Sequence, residues 1–449
     1  MHLFCNKWLL LIIIESFLFY LLKQHILNMK NSKFTKSLAL ATMLFFWSAS
    51  FAQDRTCGMI EHMNEQMQNP EFAREHEESQ AKFRVALEHN LRNKGTVLNR
   101  LNPIIVPVAV HFPDGQESDR ACLEALAQNQ IDILNSDFSA TNSDASLWYS
   151  ASSNYPGVVP GAANIEFHIA TLNHPANTDT DLVEGKPAVS IGYNFGGGGD
   201  TDIKWGGYMN FLVKNAGTGV LGYSPLGGSI RKGQSVVISA SAFGSGSGCS
   251  DYSPGSPFDL GRTVTHELGH FYNLRHTFSG SCSNDDGIAD TPNIKDPNYG
   301  CSSPGSISGC VNEEKALTMS YMDYGNDSCL YMFTEGQTTV VDSYITGVLQ
   351  SQFKPNTVPL LSVSENEFES FSLFPNPNNG SFTLELQSST SNNISIDIYD
   401  IGGRKIHKQA YINNGNFKQG IELGTIESGL YLMTVSDGQR KITERIIVK

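Results

Sequence analysis

The chain has 449 residues, of which 40% are hydrophobic, and its formal net charge is −14. This apolar fraction is ordinary for a globular protein and excludes a mainly disordered chain. Lysine and arginine form no dense stripe along this acidic chain, which argues against nucleic acid as a partner. The length is sufficient for two or three domains with their own cores.

The N-terminus carries two apolar runs that are typical of targeting segments rather than of a mature fold. The second run, residues 37–52, follows a basic start at Met29 and ends in small residues at Ala52, which is the pattern of a signal peptide. We therefore expect residues 1–52 to be an over-annotated start plus a cleaved signal peptide, with no stable membrane span after cleavage. The alternative is a membrane anchor at residues 8–22, but a spanning helix needs about 20 residues.

The region after the leader changes character near residue 101. Residues 53–100 are polar and charged, with helical spacing over residues 70–90 but too few large apolar side chains for a core. A β-branched run at residues 103–112 predicts a buried strand, and a helical pattern follows at residues 118–138. Further strands are expected at residues 165–169, 208–213 and 235–239. This order predicts an α/β domain with a mixed sheet over residues 101–353.

The last part of the chain has a different pattern. Residues 354–370 have the composition of a linker. Residues 371–449 contain short runs of alternating apolar and polar residues, separated by turn signals at residues 379–380 and 402–403. The runs lie at residues 381–386, 394–399, 430–435 and 442–448. Such spacing predicts a small all-β sandwich.

The central motif of the chain is HELGHFYNLRH, which begins at His266. Ser256 as an N-cap, Pro257 in the first turn and Asp259 near the positive end predict that its helix begins directly after the N-cap. On this helix His266 and His270 are four residues apart, so their imidazoles project from one face and can share one metal ion.

Glu267 and His276 complete the predicted site. Glu267 lies about 100° around the helix from His266, where its carboxylate can accept a proton from an attacking water without binding the metal. Zinc lowers the pKa of a bound water to about 7, which predicts metal-assisted hydrolysis. His276 comes six residues after His270, so the chain has to reverse sharply. Asn273 tolerates the positive φ that this reversal requires.

The motif resembles the extended zinc signature of the metzincin endopeptidases, with Asn273 in place of the usual glycine. MSYMDYGNDSCLYMFTEGQ, residues 319–337, is similar to the Met-turn segment of the pappalysin (cytophagalysin-like) family of metzincins. The resemblance covers about residues 100–353. It implies an α+β catalytic domain with a mixed sheet and an active-site helix, Zn²⁺ as cofactor, and hydrolysis of peptide bonds in polypeptide substrates.

The residues by themselves are also compatible with two other functions. The chain could be a catalytically inactive adhesin or binding module that keeps the metal as a structural element, but such a site has no use for Glu267. A zinc amidase acting on small molecules would require a closed pocket. The resemblance instead implies a cleft with an extended rim strand near residues 219–224.

The resemblance also implies roles for three residues of the Met-turn segment. Met322 would be an apolar floor beneath the histidines, and Tyr324 would stabilise the oxyanion, although both could also be ordinary core residues. Asp327 would line the S1′ pocket and favour Arg or Lys at P1′, since a carboxylate pairs well with a guanidinium. The alternative for Asp327 is a solvated loop carboxylate.

The loop between the helix and the Met-turn carries further features that the resemblance implies. These are the disulfide pairs Cys282–Cys310 and Cys301–Cys329, and a calcium site. Hard oxygen ligands suit calcium, and the residues that resemble a family calcium site are Asp285, Asp286, Asp290 and Thr291. Turn capping is the alternative explanation for these four residues.

Cys57, in the sequence RTCG, resembles the cysteine switch of metzincin pro-segments. A thiolate is a good zinc ligand and would keep the precursor inactive. Cys122 and Cys249 could pair with each other, which would leave Cys57 unpaired; the alternative is an ordinary disulfide from Cys57 to one of them. We therefore predict a pro-segment over residues 53–100 that is removed by cleavage near residues 92–100.

Residues 371–449 resemble the C-terminal sorting domain of the type IX secretion route of Bacteroidetes. The match rests on FSLFPNPNNGSFTLEL, on ISIDIYDIGGRKI and on SGLYLMTVSDGQRKITERIIVK. It implies the type IX secretion machinery as a partner and a secreted or cell-surface protein that passes through the periplasm. The alternative is a small carbohydrate- or protein-binding sandwich, but the tail has no aromatic cluster that would support sugar binding.

Overall fold

The structure is a computed structural model, and it describes residues 54–92, 103–176, 178–311, 314–358, 370–387, 393–400, 404–413, 416–424, 426–437 and 441–449. The predicted leader at residues 1–52, the predicted activation segment at residues 93–100 and the predicted turn at residues 402–403 lie outside this part of the chain. Most of the predicted linker, residues 359–369, does so as well. None of the described helices has both the length and the apolar composition needed to cross a membrane.

Two helices precede residues 101–353, the predicted catalytic domain. They are α1 (Met59–Gln66) and α2 (Pro70–Arg92), and the second confirms the helix predicted at residues 70–90. Phe83 and Asn90 are the buried residues of α2, because most of its sequence is polar. The Phe83 ring packs against that of Tyr344, with 5.7 Å between the ring centroids.

The strands of the predicted catalytic domain form one mixed sheet. They are β1 (Ile104–Phe112), β2 (Ile165–Ile169), β3 (Val189–Ile191), β4 (Met209–Val213), β5 (Gly222–Tyr223) and β6 (Ser235–Ile238). Their order is β2-β1-β4-β6-β5, with β3 also paired to β1, and β5 alone is antiparallel to its neighbour. The four predicted strands are confirmed as β1, β2, β4 and β6. The strands β3 and β5 are too short to produce a periodic signal.

The described residues of the predicted catalytic domain also contain four α-helices. They are α3 (Arg120–Phe138), α4 (Trp148–Ala151), α5 (Arg262–Phe271) and α6 (Glu335–Tyr344). Helix α3 confirms the predicted helix and buries its apolar face against the sheet. Every residue of α5 is buried, because this helix packs against α3, β5 and β6. Helix α6 begins with a capping box formed by Thr334 and Gln337, a local signal of the kind that stabilises helix starts.

The described residues of the tail form two antiparallel sheets. Their strands are β7 (Ser370–Phe374), β8 (Ser381–Gln387), β9 (Ile394–Asp400), β10 (Lys405–Tyr411), β11 (Asn416–Glu422), β12 (Gly429–Ser436) and β13 (Lys441–Val448). One sheet has the order β10-β9-β12-β13 and the other the order β11-β8-β7. Side chains of both sheets share one apolar core that includes Leu384, Ile396 and Met433. The predicted small all-β sandwich is therefore confirmed.

Candidate active site

The helix that carries the first two histidines begins later than the sequence predicted. Helix α5 begins at Arg262, so Ser256, Pro257 and Asp259 lie before it and the predicted start was wrong. Gly261 precedes the helix with a left-handed φ of 73°. The helix therefore begins where glycine lets the backbone turn, rather than at the local capping signal.

Asp327 supplies the N-terminal cap of α5 from a distant part of the sequence. Its Oδ2 atom accepts hydrogen bonds from the backbone N–H groups of Leu260, at 2.9 Å, and Arg262, at 3.2 Å. A carboxylate at the positive end of a helix is stabilising, and this one is fully buried. The position of the Asp327 carboxylate is thus fixed at the start of α5, the helix that carries His266 and His270.

The three histidines of the motif converge at one point. The Nε2 atom of His276 lies 3.3 Å from that of His266 and 2.9 Å from that of His270. Asn273 has a φ of 74°, which confirms the predicted left-handed turn between the second and third histidines. This turn returns the chain to the face of α5 that carries the first two.

The chemistry of these side chains fits a zinc ion. Burial lowers the pKa of His270 to about 4, and it lowers the pKa of His266 and of His276 well below the usual value. Neutral imidazole is the form that binds a metal. The three histidines and Cys57 form a cluster whose potential ligand atoms all lie within 4.8 Å of one another.

Glu267 is buried beside this cluster, with 1% of its surface exposed. Burial raises the pKa of its carboxyl to about 8, although the hydrogen bond from Cys57 and the charge of Arg55 both act in the opposite direction. Strand β5 approaches closely, since a Cβ on Gly222 would lie 3.0 Å from the Cγ of Glu267. A carboxyl with a pKa close to neutrality is suited to accept and return a proton.

The segment around Cys57 lies along β5, the strand found where the rim strand was expected. Backbone hydrogen bonds of 3.0 Å join residues 56–58 to residues 221–222. They place the Cys57 thiol beside the histidines, where its Sγ donates to the Oε2 of Glu267 at 3.5 Å. Burial raises the pKa of this thiol well above its usual value, and the Glu267 charge raises it further. A zinc ion would deprotonate a thiol that binds it.

Arg55 is a functional residue that the sequence analysis missed. Only 2% of it is exposed, and its guanidinium pairs with the carboxylate of Asp327. Its Nε donates to the carbonyl of Gly325 at 3.0 Å, and its Nη1 donates to the hydroxyl of Thr263 at 3.3 Å. Asp327 is therefore the partner of a buried arginine rather than a solvated loop carboxylate. The signal in the sequence was a cation two residues before Cys57.

Met322 and Tyr324 lie next to the histidines. Met322 is fully buried, and a Cβ on Gly269 would overlap its sulfur, so it packs where α5 has no side chain. The ring centroid of Tyr324 lies 5.0 Å from that of His276 and 5.9 Å from that of His266. Burial raises the pKa of the Tyr324 phenol, and the nearby acidic groups raise it further. This phenol therefore keeps a proton that it can donate.

The described residues contain three disulfide bonds. They are Cys122–Cys249, Cys282–Cys310 and Cys301–Cys329. The last two are the pairs that the resemblance implied, and the first is the pairing that would leave Cys57 unpaired. Cys57 is the free cysteine of the described part of the chain.

The acidic loop expected to bind calcium makes capping contacts. Asp286 accepts a hydrogen bond of 2.7 Å from the Thr291 hydroxyl, and Asp290 accepts hydrogen bonds at the N-terminus of α6. Burial raises the pKa of Asp286 to about 6, and the charges of Asp285 and Asp290 add to this increase. Three carboxylates thus lie near one another, but their ligand atoms do not converge within 4.8 Å in the described residues.

Comparison with known protein families gives two matches. Residues 251–346 match the family described as pregnancy-associated plasma protein-A. Residues 372–449 match a secretion system C-terminal sorting domain. The first match includes the histidine motif and the Met-turn segment, and the second covers the β-sandwich.

Several curated relatives are extracellular metalloproteases. The chain is 39% identical over 153 residues to extracellular metalloprotease 1 of Coccidioides posadasii, which is 31% of this chain and 51% of that protein. It is 28% identical over 294 residues to an extracellular metalloprotease of Arthroderma benhamiae, covering 65% of this chain and 83% of that protein. The match to an extracellular metalloprotease of Colletotrichum graminicola spans 31% of that protein's length. The chain thus spans about half of the relative from Coccidioides and less than half of the relative from Colletotrichum.

Solved structures of mirolysin are also similar to this chain. Mature mirolysin of Tannerella forsythia in complex with a cleaved peptide is 31% identical, and the match covers 57% of this chain and 97% of that one, with a TM-score of 0.47. A promirolysin mutant from the same organism is 29% identical, with 66% and 96% coverage and a TM-score of 0.48.

Proposed function

Because the chain belongs to the pappalysin family of extracellular metalloproteases and ends in a secretion system sorting domain, we propose that it is a secreted zinc endopeptidase. The observation that carries the proposal is the convergence of three buried, neutral histidines beside a buried glutamate. A purely structural metal site would not need a carboxyl at Glu267 whose pKa is about 8.

His266, His270 and His276 would hold the zinc ion. When bound, zinc supplies Lewis-acid chemistry, which polarises the scissile carbonyl and lowers the pKa of water. Glu267 accepts the proton of the attacking water and returns it to the leaving amine. The Tyr324 phenol, protonated in its buried position, donates a hydrogen bond to the oxyanion as negative charge develops there.

The substrate preference that we propose is Arg or Lys at P1′. Its support is the pairing of Arg55 with Asp327, because a segment of the chain itself places a guanidinium against this carboxylate. The backbone N–H groups at the start of α5 fix the carboxylate in place, so the pocket is organised before a substrate arrives. Burial of the pair makes an uncharged P1′ residue a poor substitute, since it would leave a buried charge unpaired.

We also propose that residues 53–100 keep the enzyme latent until they are removed. Cys57 would occupy the position that water needs at the metal, and Arg55 would fill the P1′ pocket. Both side chains are buried, and the backbone of residues 56–58 is hydrogen-bonded to residues 221–222. A substrate cannot enter the same space until this stretch leaves.

A calcium ion at the acidic loop is a further part of the proposal. Its support is the raised pKa of Asp286, which is caused mainly by burial and increased by the charges of Asp285 and Asp290, since a cation would relieve the repulsion between these carboxylates. Adding calcium to the zinc-loaded protein should raise the midpoint of thermal unfolding by several degrees, and magnesium should not. The Asp286→Asn variant should lose this increase. An unchanged midpoint in the parent protein would remove calcium from the proposal.

The tail would direct export through the type IX secretion machinery. Its support is the match of residues 372–449 to a sorting domain. Deleting residues 371–449 should leave the protein inside the cell, whereas the Glu267→Ala variant of the full chain should still be exported. Export of the truncated chain at the normal level would contradict this role.

The test of the proposed function is cleavage profiling of a denatured peptide library by mass spectrometry. We would use the full-length protein after removal of the pro-segment, beside its Glu267→Ala variant treated identically. We expect cleavage before Arg and Lys, and at least a 1,000-fold lower rate for the variant, because general-base catalysis contributes up to about 10⁴-fold. A protein that binds zinc but cleaves nothing would instead be a metal-containing binding module.

The Asp327→Asn variant distinguishes a role of Asp327 in P1′ preference from its role as the cap of α5. Its amide oxygen can still accept the two hydrogen bonds that cap α5, but the negative charge is lost. We expect kcat/KM for Arg at P1′ to fall about 100-fold while cleavage before uncharged residues is retained. A uniform loss across all P1′ residues would argue that Asp327 acts only as a cap.

A further inference from the structure

The three candidate zinc ligands differ in what orients their rings. The Nδ1 of His266 lies 2.6 Å from the carbonyl oxygen of Tyr321, and the Nδ1 of His270 lies 2.7 Å from that of Leu274. Such hydrogen bonds fix the tautomer and the ring plane of a metal ligand. The Nδ1 of His276 is buried and has no hydrogen-bond partner within the described residues.

The backbone gives His276 less support than it gives the other two. His266 and His270 project from a buried helix, which sets the directions of their Cα–Cβ bonds. His276 lies beyond the turn at Asn273, in a segment without regular secondary structure. One hydrogen bond there, from the N–H of Thr277 to the carbonyl of Met322 at 3.3 Å, joins the segment to the Met-turn. The ring plane of His276 therefore depends on side-chain packing.

Phe278 provides that packing. Its ring lies parallel to the His276 ring, with an interplanar angle of 10° and 4.6 Å between centroids. Tyr324 meets both rings edge-on, at 5.0 Å from His276 and 4.8 Å from Phe278. The His276 ring thus has a flat aromatic surface on one face and a perpendicular ring beside it, which restricts its rotation.

We propose that Phe278 is the positioning residue of the third zinc ligand. Its ring takes the place of the missing Nδ1 hydrogen bond and keeps the Nε2 of His276 directed at the point where the other two Nε2 atoms converge. This inference rests on the proposed zinc endopeptidase. The interaction energy of an aromatic pair of this kind is large enough to change an equilibrium constant severalfold. Loss of the Phe278 ring should therefore increase the rate at which zinc is released.

If Phe278 only filled space in the core, its replacement would have a different effect on zinc binding. Phe278 is half-buried, so replacing it with leucine keeps an apolar side chain of similar size and removes only the flat ring. If Phe278 merely fills space, Phe278→Leu should leave zinc binding unchanged. If it positions His276, the variant should lose zinc faster although its fold is intact.

The test measures the rate of zinc release to a chromogenic chelator from the full-length chain. All proteins would carry Cys57→Ala, so that the histidines alone hold the ion. We expect Phe278→Leu to release zinc about 3- to 10-fold faster than this parent. Phe278→Tyr keeps the ring and should stay within about twofold of the parent. Phe278→Met replaces the leucine variant if that protein does not fold.

Trp148→Leu is the matched control. Trp148 stacks on Tyr155 at 5.7 Å with an interplanar angle of 23°, so this variant also loses a stacked ring, but it lacks the ligand histidine. Its zinc release should equal that of the parent. Equal rates for the parent and Phe278→Leu, or an equal acceleration in Trp148→Leu, would overturn the proposal for Phe278. A parent that binds no zinc would overturn the proposed function itself.

Discussion

The two parts of the predicted pro-segment differ in how deeply their side chains are buried against the predicted catalytic domain. The short stretch around Arg55 and Cys57 is extended, and these two side chains are 2% and 7% exposed. Helix α2 has 23 residues, of which only Phe83 and Asn90 are buried. The short stretch thus contributes a charged side chain and a thiol that are both buried. The long helix contributes side chains that mostly remain exposed to solvent.

Apart from Phe83 and Leu87, which pack against the main apolar core, helix α2 makes polar contacts. The side-chain amides of Gln80 and Asn273 exchange two hydrogen bonds, of 2.9 and 3.2 Å. The Nδ2 of Asn90 donates to the Ser343 hydroxyl at 2.9 Å. Neutral hydrogen bonds contribute about 1 kcal/mol each, and breaking a buried ion pair costs about 3–5 kcal/mol. The comparison predicts that the proposed latency depends mainly on the extended stretch.

Two measurements can test this comparison, one for each part of the predicted pro-segment. Cys57 is the free cysteine of the described residues, so its rate of labelling by a thiol reagent reports how often the stretch opens. Hydrogen exchange of the α2 amides reports release of the helix. All proteins would carry Glu267→Gln, which prevents self-cleavage and keeps an acceptor for the thiol.

The largest effect should come from Arg55→Ala. This change leaves the buried Asp327 carboxylate without its cation, which costs about 3–5 kcal/mol, so Cys57 labelling should accelerate at least 100-fold. Arg55→Lys keeps the charge but loses the contacts of the guanidinium, and it should give an intermediate rate. Labelling of Arg55→Ala within threefold of the parent would show that the helix, rather than the ion pair, keeps the stretch in place.

Phe83→Ala should have the next largest effect, on the helix. It removes the ring that packs against Tyr344, and truncating a buried aromatic residue costs about 3 kcal/mol. Hydrogen exchange in α2 should accelerate about 100-fold, while Cys57 labelling should change less than tenfold. Leu91→Ala, at an exposed position of the same helix, is the control and should change neither. Equal acceleration of both readouts would mean that the two parts open together.

A smaller effect is expected from Gln80→Ala. It removes the two hydrogen bonds to Asn273, a loss of about 2 kcal/mol at about 1 kcal/mol each, so exchange in α2 should accelerate about 30-fold. Gln68→Ala is the control, because the Gln68 side chain bonds only within its own segment, to the carbonyl of Asn64. If both variants behave alike, the amide pair does not contribute to docking.

The smallest effect should come from Lys232→Ala. Lys232 pairs with Glu71 and Glu75 of α2 at 2.7 and 3.0 Å, but the pairs are exposed and solvent screens them. Both readouts should change less than twofold, and added salt should change them equally little in the parent. An acceleration above fivefold would show that surface charge has a larger part in docking than the comparison allows.

Local patterns were sufficient for much of the fold and for the convergence of the three candidate metal ligands. The spacing of His266 and His270 follows from the geometry of any α-helix, and the turn at Asn273 follows from the φ that few residues tolerate. The strands of the mixed sheet and of the sandwich were visible as short apolar or alternating runs. The two-residue strand β5 was not visible as a strand, although it lies inside the expected rim segment and forms one side of the site.

The sequence by itself determined which side chains could bind a metal and move a proton, because those properties depend on residue type and on spacings of a few residues. Only the tertiary structure decided which residue caps α5 and what Asp327 contacts. Arg55 and Asp327 are 272 residues apart, and no local periodicity reports a contact over that distance. The local signal at Ser256 failed for the same reason, since a buried carboxylate from another segment replaced it at the start of the helix.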